Sequence, residues 1–305
     1  MDKKTKNKLM KILLVLIIMV CTYFYEEYFQ EDTTKNEVEY RQNQEVKINP
    51  NNLVIHFVDV GQGDCILIGQ NNEYVLIDAG NNEDGQLLVE YFKELGVKKF
   101  KYVIGTHAHE DHIGGIDNII NNFELDKFYM PDVITTTKTF EDVLDALLNK
   151  QKAFDTPKIG DKFKLNDLEF EVLYLGTDKS DLNDTSIVLK LTYKNTTYLF
   201  MGDATSKVEK ILINEGKDLS SDVLKVGHHG SQYSSTATFL KKVNPSYAVI
   251  QVGQDNEYDH PKQVTLDKLN KLNTLTYRTD EQGTIILTSD GENITFETIK
   301  TNTNG

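Results

Sequence analysis

The sequence predicts a mixed α/β domain (α+β) in which helices cover the outer faces of β-sheets, preceded by one N-terminal transmembrane helix. From residue 53 onward, short apolar strand-like segments alternate with segments of helical periodicity, and hairpins join many neighbouring strands. Before that point lies one long apolar run with opposite charge on its two sides. The composition, 39% hydrophobic and 26% charged, is that of a folded protein rather than a disordered one.

Residues 1–25 are predicted to form a signal anchor. Five lysines precede the apolar run at 12–25, and four acidic residues follow it within 26–32. An excess of lysine before a span marks the cytoplasmic side, so the rest of the chain is expected outside. A cleaved signal peptide is the main alternative, although no small-x-small cleavage site follows the run. The expected location is the cell membrane, single-pass with an extracellular domain, or secretion if the segment is cleaved.

Residues 26–50 are polar and charged, which predicts a linker, and residues 51–305 are predicted to form the folded domain. Its strands are predicted at 53–60, 65–68, 74–78, 101–106, 168–175, 186–193, 197–201, 222–226, 246–252, 284–289 and 292–298. One helix is predicted where Leu87, Leu88, Tyr91, Phe92 and Leu95 share a face before Gly96, and another from near Gly114. Further helices are predicted at 140–151, 205–214, 235–242 and 262–272.

The charge balance argues against a protein that coats nucleic acid nonspecifically. Acidic residues outnumber basic ones by 47 to 33, and the net charge is −14. Such a surface repels polyanions at long range. Beyond the N-terminal region the only arginine is Arg278, so phosphate chemistry here would depend on metal ions for positive charge.

A metal-binding motif follows the predicted strand at 101–106. Four candidate ligands lie within six residues: His107, His109, Asp111 and His112. Imidazole and carboxylate groups are typical ligands of Zn²⁺ and similar ions. A polar surface loop is the alternative explanation, but a lone histidine fits that explanation far better than this spacing does.

Several further segments resemble one protein family in the same order along the chain. They are Phe57–Asp64, Ile77–Gly80, Asn183–Ser186, Met201–Ala204, Lys225–Ser231, Asp259–Pro261 and Thr279–Gly283. With the histidine motif, they resemble the metallo-β-lactamase superfamily, and within it the C-terminal hydrolase domain of the competence protein ComEC and its stand-alone relatives. The resemblance covers about residues 55–290 and implies a four-layer αββα sandwich.

The resemblance also implies two divalent metal ions, with Zn²⁺ expected and Mn²⁺ as the alternative. His107 and His109 would bind the first ion. Asp111 and His112 would bind the second, together with one histidine of the pair 228–229, assigned to His228. Asp203 would bridge both ions. Asp78 would support the histidine loop without binding metal.

One position departs from the pattern common in the superfamily, because Asn183 stands where a histidine usually completes the first metal site. The ComEC branch shares this departure, which implies a weaker first site. Asp111 is also expected to orient the nucleophile, and His229 and His260 to contact a phosphoryl oxygen or protonate the leaving group.

The expected activity is phosphodiester hydrolysis by a hydroxide that bridges two ions. The substrate would be a nucleic acid or a cell-wall polymer, and a DNA-uptake machinery is a candidate partner. One alternative is an extracellular esterase acting on phosphorylcholine-decorated teichoic acid. Another is a surface binding module without catalysis, although retention of all the candidate ligands speaks against it.

Overall fold

Two seven-stranded β-sheets form the framework of the protein. The computed structural model describes residues 49–300. The predicted anchor at 1–25 and almost all of the predicted linker therefore lie outside the described residues. Within residues 49–300, no helix has the length and apolar character needed to cross a membrane.

The first sheet has the strand order β14-β13-β1-β2-β3-β4-β5, and the second has the order β12-β11-β10-β9-β8-β7-β6. The strands are β1 (Leu53–Phe57), β2 (Cys65–Gln70), β3 (Glu73–Ala79), β4 (Lys99–Ile104), β5 (Glu124–Tyr129), β6 (Lys162–Leu165), β7 (Leu168–Tyr174), β8 (Val188–Tyr193), β9 (Thr196–Phe200), β10 (Val223–Lys225), β11 (Tyr247–Ile250), β12 (Leu275–Arg278), β13 (Thr284–Ser289) and β14 (Ile294–Ile299).

Helices connect these strands. They are α1 (Gly85–Glu94), α2 (Glu110–Ile113), α3 (Ile116–Asn122), α4 (Lys138–Asn149), α5 (Ser206–Asn214), α6 (Ala237–Val243), α7 (Gln263–Lys271) and α8 (Thr279–Gln282). Short 3₁₀ turns occur at Asn82–Asp84, Leu182–Thr185 and Gly227–Gly230.

Alternating side chains along the strands divide the hydrophobic core into three layers. On β9, Tyr198 and Phe200 point between the two sheets, whereas Leu199 points toward α5 and α6. On β3, Val75 points between the sheets and Leu76 points toward α1 and α3. Successive side chains of a strand point to opposite faces of the sheet, so apolar side chains are buried on both faces of each sheet. The result is a helix–sheet–sheet–helix sandwich, which confirms the mixed α/β fold with two sheets.

The parallel strands of both sheets determine where a site can form. Strands β3, β4 and β5 are parallel in the first sheet, and β9, β10, β11 and β12 are parallel in the second. Ligands of such sheets commonly bind beyond the carboxyl ends of the strands. The predicted metal-binding segments follow β4, β9 and β10, and the loop that contains His260 follows β11.

The structure differs from the predicted elements around the histidine motif. The helix expected from near Gly114 begins earlier, at Glu110, and is interrupted by Gly114 and Gly115 before α3. His109 is the N-cap residue of α2 and has an extended backbone. Asp111 and His112 therefore belong to a helical turn, which sends their side chains in different directions from those of His107 and His109.

Candidate metal centre

Four ionisable side chains from two sheets meet at one point. The Asp111, His112, Asp203 and His229 side chains each place a potential ligand atom within 4.8 Å of the other three. The first two follow β4, Asp203 follows β9, and His229 follows β10. His112 Nε2 lies 3.3 Å from Asp203 Oδ1, and His229 Nε2 lies 3.2 Å from Asp111 Oδ2. Two imidazoles and two carboxylates are a ligand set suited to Zn²⁺ or a related ion.

Unsatisfied polar atoms show that this cluster fits a metal ion. In residues 49–300, ten buried side-chain nitrogen and oxygen atoms have no hydrogen-bond partner. Seven of these ten atoms belong to the site or its immediate surroundings: Asp64 Oδ1, His112 Nε2, Asn183 Oδ1, Asp203 Oδ1, His228 Nδ1, His229 Nε2 and His260 Nδ1. Buried polar groups normally have partners, so their concentration here indicates that the site accommodates a bound species.

His107 and His109 form a separate pair beside this four-residue cluster. His107 Nε2 and His109 Nδ1 lie 2.9 Å apart. The opposite nitrogen of His107 lies 3.2 Å from Thr106 Oγ1 and 3.5 Å from Ser186 Oγ, which directs Nε2 toward His109. Two imidazole nitrogens that face each other provide two ligands for another ion, fewer than the four in the larger cluster.

Buried hydrogen bonds support the ligands from behind. Asp78 Oδ2 lies 2.8 Å from His112 Nδ1 and accepts a hydrogen bond from Thr106 Oγ1 at 2.7 Å. Asp78 Oδ1 accepts from the Thr106 backbone N–H at 2.7 Å. In the second sheet, Ser186 Oγ accepts from the Asp203 backbone N–H at 3.1 Å. Asp78 thus contacts both the loop at Thr106 and the His112 ring from outside the four-residue cluster.

The two adjacent histidines exchange the positions assigned to them from the sequence. His229 is buried and its Nε2 lies 3.5 Å from Asp203 Oδ2 as well as close to Asp111. His228 is 22% exposed, and its Nε2 is 3.8 Å from Asp203 Oδ2. Both residues have a left-handed backbone, with φ of 50° and 52°, so their side chains leave the chain on different sides. His229 thus joins the four-residue cluster in place of His228, and His228 faces the adjoining pocket.

Carboxylates give the site a strong attraction for positive charge. Burial lowers the pKa of His112, but Asp203, Asp111 and Asp78 together outweigh burial and hold the pKa above its usual value. Burial also lowers the pKa of His229, but Asp203 and Asp111 outweigh burial, so that this pKa too lies above its usual value. Burial, followed by repulsion from His112, instead lowers the pKa of His107. Two of the histidines are therefore held where cationic charge is stabilised.

A pocket of about 340 Å³ opens onto the cluster. It is lined by Gln62, His109, Glu110, Asp111, Asn183, Asp203, His228, His229, Tyr258 and His260. None of these lining residues is a lysine or an arginine. The Tyr258 ring is 53% exposed and stacks on His260, with ring centroids 5.7 Å apart. Burial, with a smaller contribution from His228, lowers the pKa of His260 to about 4.

The sequence interpretation missed several residues of this site. Asn183, which the sequence interpretation did include, lines the same pocket as His109. Lys225 and Gln251 had no assigned role, although both are buried directly behind the cluster. Tyr258 and Glu110 were also not singled out. The one available signal was a lysine at the end of an apolar strand, because lysine is seldom buried without a partner.

Comparison with known proteins agrees with this geometry. The model of the metallo-beta-lactamase superfamily matches residues 58–254. The chain belongs to the metallo-β-lactamase superfamily. Like this superfamily domain, the structure combines two sheets with outer helices, and its residue groups are able to bind metal ions.

Three bacterial proteins are similar to this chain over a longer stretch than the superfamily model matches. ComE operon protein 3 of Bacillus subtilis is 30% identical over 250 residues, which covers 76% of this chain and 32% of that protein. Competence protein ComA of Neisseria gonorrhoeae is 27% identical over 77% of this chain and 32% of its own length. Recombination protein 2 of Haemophilus influenzae is 28% identical over 75% and 28%, respectively. The resemblance to ComEC-type domains is thus confirmed, while the chain spans only about a third of these relatives.

Solved structures of the metallo-β-lactamase fold are similar at the level of the fold. The protein YhfI from Bacillus subtilis has a TM-score of 0.53 at 11% identity and covers 78% of this chain and 100% of that one. Zn²⁺-bound PqqB from Methylobacterium extorquens has a TM-score of 0.51 at 8% identity, with coverage of 74% and 97%. At such low identities, these similarities concern the fold alone.

Proposed function

We propose that this chain is a metal-dependent phosphodiesterase that cleaves nucleic acid, anchored at the outer face of the cell membrane by its N-terminal helix. The observation that carries the proposal is the convergence of Asp111, His112, Asp203 and His229 beside an accessible pocket. Relatives named for competence and recombination favour nucleic acid as the substrate. The superfamily fold supports a metal-dependent hydrolase.

The residues of the site would hold two ions of unequal affinity. Asp111, His112, Asp203 and His229 would bind one ion, and His107 and His109 would contribute to binding the other. When bound, divalent ions lower the pKa of water and neutralise charge that develops on a phosphoryl oxygen. Zn²⁺ suits the imidazoles, whereas the buried amide oxygen of Asn183, which lines the same pocket as His109, favours Mn²⁺.

The remaining pocket residues have roles that follow from their charge. With a pKa of about 4, the His260 ring is neutral at pH 7. It can therefore donate a hydrogen bond to a phosphoryl oxygen, but an imidazolium proton is not available for the leaving group. His228 lies next to it, with ring centroids 5.7 Å apart. The exposed Tyr258 ring offers a surface on which an unpaired base can stack, as aromatic side chains do in proteins that bind single strands.

A second candidate substrate is a cell-wall phosphodiester that contains choline. Glu110 and Tyr258 line a pocket in which none of the lining residues is a lysine or an arginine. A carboxylate and an aromatic ring both attract a quaternary ammonium group. The single aromatic ring supports this candidate less than the names of the relatives support nucleic acid.

The test compares the hydrolysis of several substrates by the full chain. The protein is purified in detergent, depleted of metal and then reloaded with Zn²⁺ or Mn²⁺. We expect hydrolysis of bis(p-nitrophenyl) phosphate and of a single-stranded oligonucleotide, abolished by chelator. p-Nitrophenyl phosphorylcholine tests the second candidate. Turnover of carboxylic esters or lactams, with phosphodiesters untouched, would show the proposal to be wrong. Failure of the purified chain to retain about one ion would instead support the binding module.

Paired variants test the exchanged histidines. His229→Gln should lower the metal content, because it removes a ligand from the four-residue cluster. His228→Gln should keep the metal content and lower kcat by about 10- to 100-fold. Asp126→Asn, at an exposed ion pair on the edge strand β5 and outside the pocket lining, serves as the control. Equal metal loss in both variants would contradict the assignment of His229, rather than His228, to the four-residue cluster.

The proposed location has its own test. Protease added to intact cells should digest the domain, and deletion of residues 1–25 should leave it inside the cell, because these residues would direct export. A domain that resists protease until the cells are lysed would refute the extracellular placement.

A further inference from the structure

A buried ion pair lies directly behind the metal cluster. Lys225, the last residue of β10, places Nζ 2.7 Å from Asp64 Oδ2, and the two side chains are 0% and 1% exposed. Among the residues described by the structure, no other pair of lysine or arginine with a carboxylate has both side chains buried. Removing two charges from water is costly, and their attraction often does not repay the cost. A position this close to the cluster suggests a role beyond stability.

The second carboxylate oxygen of Asp64 faces a metal ligand. Asp64 Oδ1 lies 3.4 Å from His229 Nδ1 and has no hydrogen-bond partner of its own. His229 Nδ1 is also 2.9 Å from the Gln251 carbonyl oxygen. With two acceptors behind it, Nδ1 carries the proton, and Nε2 presents its lone pair to the cluster. A carboxylate behind a ligating histidine commonly orients the ring in this way.

The main chain of Asp64 contacts the other half of the site. Its N–H donates to the Asp111 carbonyl oxygen at 3.0 Å, and its own carbonyl accepts from the Gly80 N–H at 2.9 Å. Gln251 Nε2 donates to the carbonyl oxygens of Val58 and Cys65, at 3.0 and 2.9 Å, at either end of the same turn. The turn thus contacts segments that follow strands of both sheets, and Lys225 holds the buried side chain of Asp64.

We propose that the Lys225–Asp64 ion pair is a positioning element for the metal ligands. Lys225 holds the Asp64 carboxylate behind His229, while the Asp64 backbone fixes Asp111. His112 has the equivalent partner in Asp78, which is also close to Asp64. The Lys225 ammonium offsets the repulsion between these two buried carboxylates, so that both histidines keep their support. This inference depends on the metal centre of the proposed function.

The test measures metal affinity rather than activity. The double variant Asp64→Asn/Lys225→Met removes both charges together and keeps the side-chain volumes, so that neither partner is left as an unpaired buried charge. Circular dichroism and thermal unfolding of the full chain report folding, and competition with a chromophoric chelator gives the Zn²⁺ and Mn²⁺ dissociation constants. We expect the folded double variant to bind metal about 10- to 100-fold more weakly than the unmodified chain.

The control is Asp218→Asn/Lys190→Met. Lys190 is a largely buried lysine of the same sheet, and its Nζ lies 2.8 Å from Asp218 Oδ2 away from the cluster. This variant should bind metal within about twofold of the unmodified chain. If the double variant at the site does not fold, the affinity is measured on the isosteric Asp64→Asn, in which Lys225 Nζ keeps the Val226 carbonyl oxygen as a hydrogen-bond acceptor, with the same expected loss.

Equal metal affinity in the unmodified chain and the folded variant would overturn the inference and reduce the pair to a structural role. A result in which the unmodified chain itself binds no metal would overturn the proposed function instead. The two failures are therefore distinguishable in one titration.

Discussion

Burial sets the charge of His56, which lies outside the metal centre. Its Nδ1 is 2.7 Å from Tyr91 Oη, and burial lowers the pKa of His56 to about 4. Burial raises the pKa of Tyr91 above its usual value, so the phenol keeps its proton and donates a hydrogen bond to Nδ1 of the neutral imidazole. This histidine therefore contributes to the protein as an uncharged hydrogen-bond acceptor.

The stability of the domain should consequently fall in mild acid. The unfolded chain binds a proton at His56 below the usual pKa of 6.5, whereas the folded chain does so only below about 4. Between these values the free energy of unfolding falls with decreasing pH, by up to about 3 kcal/mol, and above 6.5 this group adds no pH dependence. Urea unfolding at pH 7.5 and 5 should show a smaller loss in His56→Gln than in the unmodified chain. Identical losses in both proteins would contradict this account.

At the scale of residues, local spacing predicts only part of the site. His107, His109, Asp111 and His112 are adjacent in the sequence, and their pattern alone indicates metal binding. Other roles depend on contacts between distant segments or on backbone conformation. The Lys225–Asp64 pair joins the end of β10 in one sheet to the turn before β2 in the other. The left-handed backbone at 228–229 decides which ring faces the cluster.

At the scale of elements, the tight turn between β1 and β2 is enclosed by backbone on two sides. A Cβ at Gly63 would lie 2.6 Å from the Asp111 carbonyl oxygen, and a Cβ at Gly253 would lie 2.7 Å from the Gln62 nitrogen. Neither contact is tolerated without movement of the backbone. The turn is therefore held in one position, and Asp64 and Asp111 with it.

We expect Gly63→Ala to weaken metal binding by about tenfold or more, and to destabilise the fold by about 1–3 kcal/mol, because the new methyl group pushes the turn away from Asp111. Gly61→Ala is the matched control. It lies in the same turn and also has a positive φ, of 63°, but a Cβ there meets no atom within 4 Å. Chelator competition and urea unfolding check both variants. Similar metal affinities for the two would exclude the steric explanation.

The strands that the sequence interpretation missed share one property. Strands β5, β6 and β12 all lie at sheet edges. In β5, buried and exposed side chains do not alternate regularly along the strand. Strands β6 and β12 contain only four residues each. Edge strands are often short and carry charged residues, which blurs the periodicity that identifies central strands. The interior strands, with side chains packed on both faces, were predictable for this reason.

At the scale of the whole molecule, composition and periodicity predicted sheets covered by helices, but not how the sheets pair. The four layers followed only from the resemblance, because the order of strands within a sheet depends on contacts that no local pattern encodes. The anchor and the extracellular location stay predictions of the N-terminal charge pattern.

The absence of lysine and arginine among the pocket residues, in a chain of net charge −14, has a kinetic consequence. The negative surface repels an approaching polyanion. Added salt screens this repulsion, because the Debye length shortens from about 30 Å at 10 mM to about 8 Å at 150 mM. Between these concentrations, kcat/KM for an oligonucleotide should rise, whereas kcat should change little. Steady-state rates in NaCl, with metal saturating, measure this, and a fall of kcat/KM would point to a basic docking surface. Most proteins that bind nucleic acid lose affinity as ionic strength rises, so this one is expected to work best in a saline medium rather than a dilute one.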